Sequence, residues 1–115
     1  MTIHTEIRGQ VLVVRPSGDI NKMAANELHE LLDNAIAEGV TRLVFDFSIL
    51  SHISSDGLRV ILKAIEEVQS RKGQVVLAEM GEQVRGVFEA SGFLGLIREF
   101  TDLEVAVNAT SAEVS

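Results

Sequence analysis

The sequence predicts an α/β fold: a mixed sheet of four to five strands that opens with a hairpin and carries four helices. Short apolar runs alternate with longer runs that have the 3.6-residue periodicity of amphipathic helices. Strands that alternate with helices imply right-handed crossovers between parallel neighbours. No linker, repeat or low-complexity segment interrupts the 115 residues, so we predict a single domain over residues 1–115.

The first two strands are predicted to form the hairpin. Residues 3–8 alternate loosely, Gly9-Gln10 fits a two-residue turn, and residues 11–14 are apolar. Pro16 and Gly18 end the second strand. The hairpin should therefore add the antiparallel part of an otherwise parallel sheet.

The remaining strands and helices follow in alternation. Strands are predicted over residues 41–47, 74–80 and 96–100, and helices over residues 21–39, 55–73, 82–92 and 102–110. Asn21 is the predicted N-cap of the first helix, and Gly39 is the residue after its end. Gly73 is predicted to stop the second helix, and residues 111–115 are predicted to fray.

Charge and composition narrow the classes of function. The net charge of −7 argues against a non-specific nucleic-acid binder, which needs a basic surface. No apolar run approaches the ~20 residues of a membrane span, so we expect no membrane insertion. The absence of cysteine excludes disulfides and thiolate metal sites and favours a reducing compartment. We therefore expect a cytoplasmic protein.

Two partial motifs point to ligands but lack the necessary residues. Gly81 and Gly86 have the glycine spacing of a phosphate-binding loop, but the lysine and hydroxyl residue that should follow are missing. His29-Glu30 begins a zinc motif, but Asp33 occupies the position of its second histidine. A solvated helix face is the better interpretation of this second motif. We expect no cofactor and no metal.

Hydrolase chemistry is also poorly supported. Ser55 would need the sharp turn of a nucleophile elbow, yet Ile53 stands where that motif requires glycine. His52 is close in sequence, but nothing marks an acid that would orient it. Asp46 lies inside a strand pattern, and we favour a structural, partly buried role for it. The chain is not expected to be an enzyme.

Ser54, Ser55 and Asp56 lie between a strand and the predicted helix near residue 55. Both serines can cap a helix, and Asp56 in the first turn would complement the helix dipole. The backbone amides that a helix leaves unpaired at its start would also favour a phosphate attached to a serine there. The residues alone leave both interpretations open.

Three stretches resemble a known family: "VLVVRPSGDIN", "RLVFDFSILSHISSDGLRVIL" and "GQVVLAEMGEQVRGVFEASGFLGLIREF". Over nearly its whole length the chain resembles a STAS domain of the anti-sigma factor antagonist family. The resemblance implies a STAS-type fold with helices mainly on one face of the sheet. In the family, a D-S-x-G-L segment at a helix N-terminus carries the phosphorylated serine. Alignment on Gly57-Leu58 places the acceptor at Ser55.

The resemblance implies a non-enzymatic module that switches partners. The unphosphorylated form would bind an anti-sigma factor that is also a serine kinase, and a phosphatase would reset the phosphorylated form. The implied partner surface consists of Asn21, Ser54, Ser55, Asp56, Gly57 and Arg59. The alternative is a regulatory or structural subunit of another assembly, such as a transporter ATPase or a signalling scaffold, in which Ser55 acts only as a helix cap.

This chain departs from the family pattern at three positions. Ser54 replaces the aspartate that precedes the acceptor, and Asp56 replaces a small residue after it. Asn21 stands where an aspartate is common. The negative charge near the acceptor is thus moved rather than removed. A carboxylate beside Ser55 would oppose a phosphate at close range, although solvent and the helix dipole soften that repulsion.

Overall fold

The computed structural model describes residues 2–111, so residues 112–115 of the predicted frayed end lie outside it. The strands are β1 (Ile3–Arg8), β2 (Val11–Pro16), β3 (Gly18–Ile20), β4 (Arg42–Asp46), β5 (Leu50–Ile53), β6 (Gln74–Ala78) and β7 (Arg98–Phe100). The helices are α1 (Lys22–Ala37), α2 (Ser55–Ser70), α3 (Glu82–Ala90) and α4 (Leu103–Ser111), with a 3₁₀ turn at Leu94–Leu96.

The main sheet has the predicted mixed character. Its five strands lie in the order β1-β2-β4-β6-β7. Only the β1–β2 pair is antiparallel, and the others are parallel. Arg8 pairs with Val11 across the Gly9-Gln10 turn, where Gly9 has a positive φ of 63°. The predicted hairpin and its two-residue connection are confirmed.

The helices cover the two faces of the sheet unequally. One face, here called the major face, packs against α1, α2 and α3 around a core that includes Phe45, Phe47 and Phe88. The opposite face, the α4 face, packs against a single helix of the described residues, α4, around Val13, Val44 and other apolar residues. The expectation of helices mainly on one face is confirmed. None of the helices in residues 2–111 is long and apolar enough to cross a membrane.

The sequence-based prediction missed a second, two-stranded sheet. Strands β3 and β5 pair in parallel, with Ile20 opposite Ile53. These strands have only three and four residues, too few to show a periodic pattern. This small sheet ends directly before the starts of both α1 and α2.

The prediction that Gly73 stops α2 was wrong. The helix ends at Ser70, and Lys72 adopts the left-handed conformation, with φ at 62°. Gly73 is needed for a different reason: a Cβ there would lie 2.3 Å from the carbonyl oxygen of Thr41. At the end of α1, by contrast, Gly39 has a φ of 100° and fills the predicted left-handed position.

Candidate functional site

The start of α2 is held firmly against the end of β3. The amide of Ser54 donates to the carbonyl of Ile20 over 2.9 Å. Gly57, one turn into the helix, is buried directly against the Ile20 side chain. A Cβ at residue 57 would lie 2.5 Å from Ile20 Cγ2, so only glycine allows the helix to approach so closely. The backbone at this point therefore has little freedom to move.

Ser54 is the N-cap of α2 and Ser55 is its first residue. The Ser54 hydroxyl accepts from the Gly57 amide over 3.1 Å, and the Ser54 carbonyl accepts from the Leu58 amide over 2.9 Å. Within the described residues, no hydrogen bond occupies the amides of Ser55 and Asp56. These two donors remain available at the positive end of the helix dipole.

Ser55 itself is exposed. Of the two serines proposed as caps, Ser54 makes the capping bond, and the Ser55 hydroxyl makes no hydrogen bond within residues 2–111. In particular, no bond joins it to His52 in this part of the chain, so the geometry of a base-activated nucleophile is missing. Ser55 is thus exposed, and its hydroxyl is not engaged by any other residue of this part of the chain.

Charged side chains flank the serine. Asp56 lies in the first turn, where its carboxylate accepts from the Arg59 guanidinium over 3.4 Å. The Arg59 side chain is 75% exposed and that of Asp56 is 43% exposed, so solvent weakens this pair. Arg59 is therefore free to turn towards a partner at little cost.

A groove of about 550 Å³ begins at Ser55 and runs along α2 beside the segment that follows α3. It is lined by Ser55, Leu58, Arg59, Leu62, Lys63, Glu66, Ser91 and Phe93. Leu58, Ile61 and Leu62 follow one another along this side of α2, but only Ile61 is fully buried. Leu58 and Leu62 instead form part of the apolar floor. Their spacing of four residues, at the margin of the helical stripe, is the signal that could have identified them.

Asn21 lies close to this site because it directly follows Ile20, whose carbonyl holds Ser54. Its side chain caps α1, as predicted, by accepting from the Ala24 amide over 2.9 Å. Asn21 is exposed, whereas Gly57 is buried. The structure thus brings the predicted partner-binding residues together at one end of α1 and α2, but Gly57 supports the surface from beneath.

Asp46 has the structural role expected for it. The side chain is 2% exposed, accepts from Arg15 Nε over 2.6 Å and accepts from the Ser48 amide over 3.0 Å. Its hydrogen bond raises the pKa of the Arg15 guanidinium above the ordinary value. The pair holds β2 to β4 on the α4 face.

The partial ligand motifs have structural explanations. Gly81 is the N-cap position of α3 and Gly86 lies inside that helix, so they form no phosphate-binding loop. His29 Nε2 lies 3.1 Å from Asp33 Oδ2 as an exposed pair on α1. Within residues 2–111, no group of three histidine or acidic side chains is arranged to hold a metal ion.

Comparison with known proteins identifies relatives of this chain. The family model described as STAS domain matches residues 2–106. The chain is 35% identical to BtrV of Bordetella bronchiseptica, named provisionally as an anti-sigma factor antagonist, over 86% of this chain and 85% of that protein. It is also similar to the anti-sigma factor antagonist SpoIIAA in its unphosphorylated form, with a TM-score of 0.86, 25% identity and coverage of 99% and 100% of the two chains. The phosphorylated form of SpoIIAA, from Bacillus, gives a TM-score of 0.79 at 24% identity, with 94% and 98% covered.

Proposed function

This chain belongs to the STAS-domain family, and we propose that it is a cytoplasmic, non-enzymatic anti-sigma factor antagonist controlled by phosphorylation of Ser55. The observation that carries the proposal is the position of Ser55: it is exposed and it is the first residue of α2. The solved unphosphorylated and phosphorylated forms of SpoIIAA support a switch of this kind.

The proposed partner is an anti-sigma factor that also acts as a serine kinase. It would contact the exposed residues Asn21, Ser55 and Arg59 and insert apolar side chains into the groove beside Leu58 and Leu62. Burial of apolar surface would supply most of the binding free energy. The polar residues around Ser55 would set the orientation of the complex.

Phosphorylation would change this surface without unfolding it. A phosphate adds about −1.5 to −2 charges, and the free amides of Ser55 and Asp56 can donate hydrogen bonds to its oxygens. A strongly hydrated anion at the end of an apolar groove would have to lose water when the partner binds. The proposed result is loss of the complex, until a phosphatase removes the phosphate.

The acceptor is tested by incubating the chain with its cognate kinase and ATP and measuring the intact mass. We expect wild type to gain one phosphoryl group and Ser55→Ala to gain none. Ser54→Ala is the matched control because it alters the neighbouring hydroxyl, which caps the helix. A phosphoryl group on Ser55→Ala would show that the acceptor is wrong, and an unmodified wild type would favour the alternative role in another assembly.

The effect on binding is tested with Ser55→Glu. We expect its affinity for the anti-sigma factor to fall about tenfold or more, which corresponds to about 1.4 kcal/mol. The circular dichroism spectrum should not change, because the Ser55 hydroxyl makes no hydrogen bond within the described residues. Loss of the folded spectrum would indicate a mainly structural role for the serine.

A further inference from the structure

We propose that the free edge of β1 pairs with β1 of a second copy of this chain to form a symmetric dimer. Strand β1 lies at one end of the main sheet and pairs, within residues 2–111, only with β2. It is six residues long, whereas the strand at the other end, β7, has three. An unpaired strand of this length presents a row of backbone donors and acceptors to another chain.

The hairpin determines which backbone groups face outwards. Arg8 and Val11 close a two-residue turn, so in this antiparallel ladder the even-numbered residues of β1 bond to β2. The bond from the Ser17 amide to the Thr2 carbonyl, 2.9 Å long, follows the same alternation. The N–H and C=O groups of Ile3, Thr5 and Ile7 therefore point away from the sheet.

One register satisfies these groups best. An antiparallel pair centred on Thr5 sets Thr5 opposite the partner's Thr5 and Ile3 opposite the partner's Ile7, so every outward group in residues 3–7 finds a partner. It extends over residues 2–8. Pairs centred on His4, Glu6 or Ile7 overlap less of the strand.

The side chains favour the same register. Centring on Thr5 sets His4 opposite the partner's Glu6, an acceptor for the imidazole, and sets two isoleucines together. Centring on Glu6 would instead oppose two carboxylates. Ile7 is 76% exposed, beside an open groove of about 280 Å³ whose walls include Leu12 and Leu31. The second copy would cover this apolar surface.

Cysteine cross-linking tests the register. Because the sequence has no cysteine, any disulfide must form between the introduced residues. We expect Thr5→Cys to cross-link to itself under mild oxidation, because opposite Cα atoms would be about 5.5 Å apart. His4→Cys and Glu6→Cys should not cross-link alone but should do so when mixed. Self-linking of His4→Cys or Glu6→Cys, without linking of Thr5→Cys, would overturn the proposed register.

Sedimentation equilibrium tests the dimer without a cross-link. A single strand edge is a small interface, so we expect a weak dimer that is populated at about 1 mM chain.

Thr5→Pro removes an outward N–H but no bond within the monomer. It should weaken the dimer at least tenfold and leave the circular dichroism spectrum unchanged. A wild type that stays monomeric at this concentration, or a Thr5→Pro that dimerises equally well, would refute the proposal. No residue of β1 lines the groove beside Ser55, so this result is independent of the phosphorylation test.

Discussion

The two faces of the main sheet are built in different ways. The major face is stabilised by apolar contacts with three helices, including stacked Phe47 and Phe88 rings whose centroids are 5.8 Å apart. The α4 face has a smaller apolar cluster, beside which Arg15 pairs with Asp46, and Arg8 pairs with both Glu6 and Glu104.

The candidate site lies on the side of the major face, apart from the ion pairs of the α4 face. Apolar contacts change little with salt or pH, so the packing that positions the start of α2 should be insensitive to both. Ion pairs at a partly exposed surface depend on both. Substitutions on the two faces should therefore change the free energy of unfolding by different amounts. Those changes should also respond differently to salt and pH.

The largest effect is expected where the major face positions the site. Gly57→Ala places a Cβ 2.5 Å from Ile20 Cγ2 and 3.1 Å from the Ile20 carbonyl oxygen. We expect a loss of about 2–3 kcal/mol in the free energy of unfolding, measured by urea denaturation. Gly86→Ala is the control, since a Cβ there meets nothing within 4 Å. It should gain about 0.5–1 kcal/mol through helix propensity. Equal stabilities for the two variants would show that close packing does not hold α2 in place.

The second-largest loss of stability is expected on the α4 face. Asp46→Ala leaves Arg15 Nε and the Ser48 amide without their acceptor, and should cost about 2 kcal/mol in urea denaturation. Asp33→Ala, which removes an exposed carboxylate paired with His29, should change stability by less than about 0.5 kcal/mol. A loss for Asp46→Ala no greater than that for Asp33→Ala would mean that burial does not strengthen the pair.

A smaller difference in stability should distinguish Ser54 from Ser55. Ser54→Ala removes the bond to the Gly57 amide and should cost about 1 kcal/mol. Ser55→Ala should lie within about 0.5 kcal/mol of wild type, because its hydroxyl has no hydrogen bond within residues 2–111. Thermal or urea denaturation measures both. If Ser55→Ala is the less stable of the two, its hydroxyl has a structural role.

The smallest effect should depend on pH. The hydrogen bond from Arg8 is the largest cause that lowers the pKa of Glu6 below its ordinary value of 4.5. Glu6 therefore stabilises the fold above pH 4.5 and loses this contribution as the pH falls through its lowered pKa. Glu6→Gln should be slightly less stable than wild type at neutral pH and equal to it in strong acid. Glu27→Gln, at an exposed position on α1, serves as the control. A pH-independent difference would assign the effect to something other than ionisation.

Local patterns were sufficient to predict much of the fold and part of the site. Periodicity gave the main strands and helices, and the Gly9-Gln10 turn gave the hairpin register. Strands β3 and β5 were missed because pairing between distant segments, rather than their own sequence, makes them strands. The groove was missed for a related reason: Phe93 joins Leu58 and Leu62 only once the segment after α3 packs beside α2.

The sequence by itself determined the order of the four helices and the five strands of the main sheet, and the helix start at Ser54-Ser55, because caps and periodicity act between near neighbours. Its motifs also carried the resemblance to the STAS family. Only the tertiary structure decided which serine caps α2, how closely Gly57 approaches Ile20, and which apolar residues remain open to a partner. Those features depend on contacts between segments far apart in the chain. No local pattern specifies them.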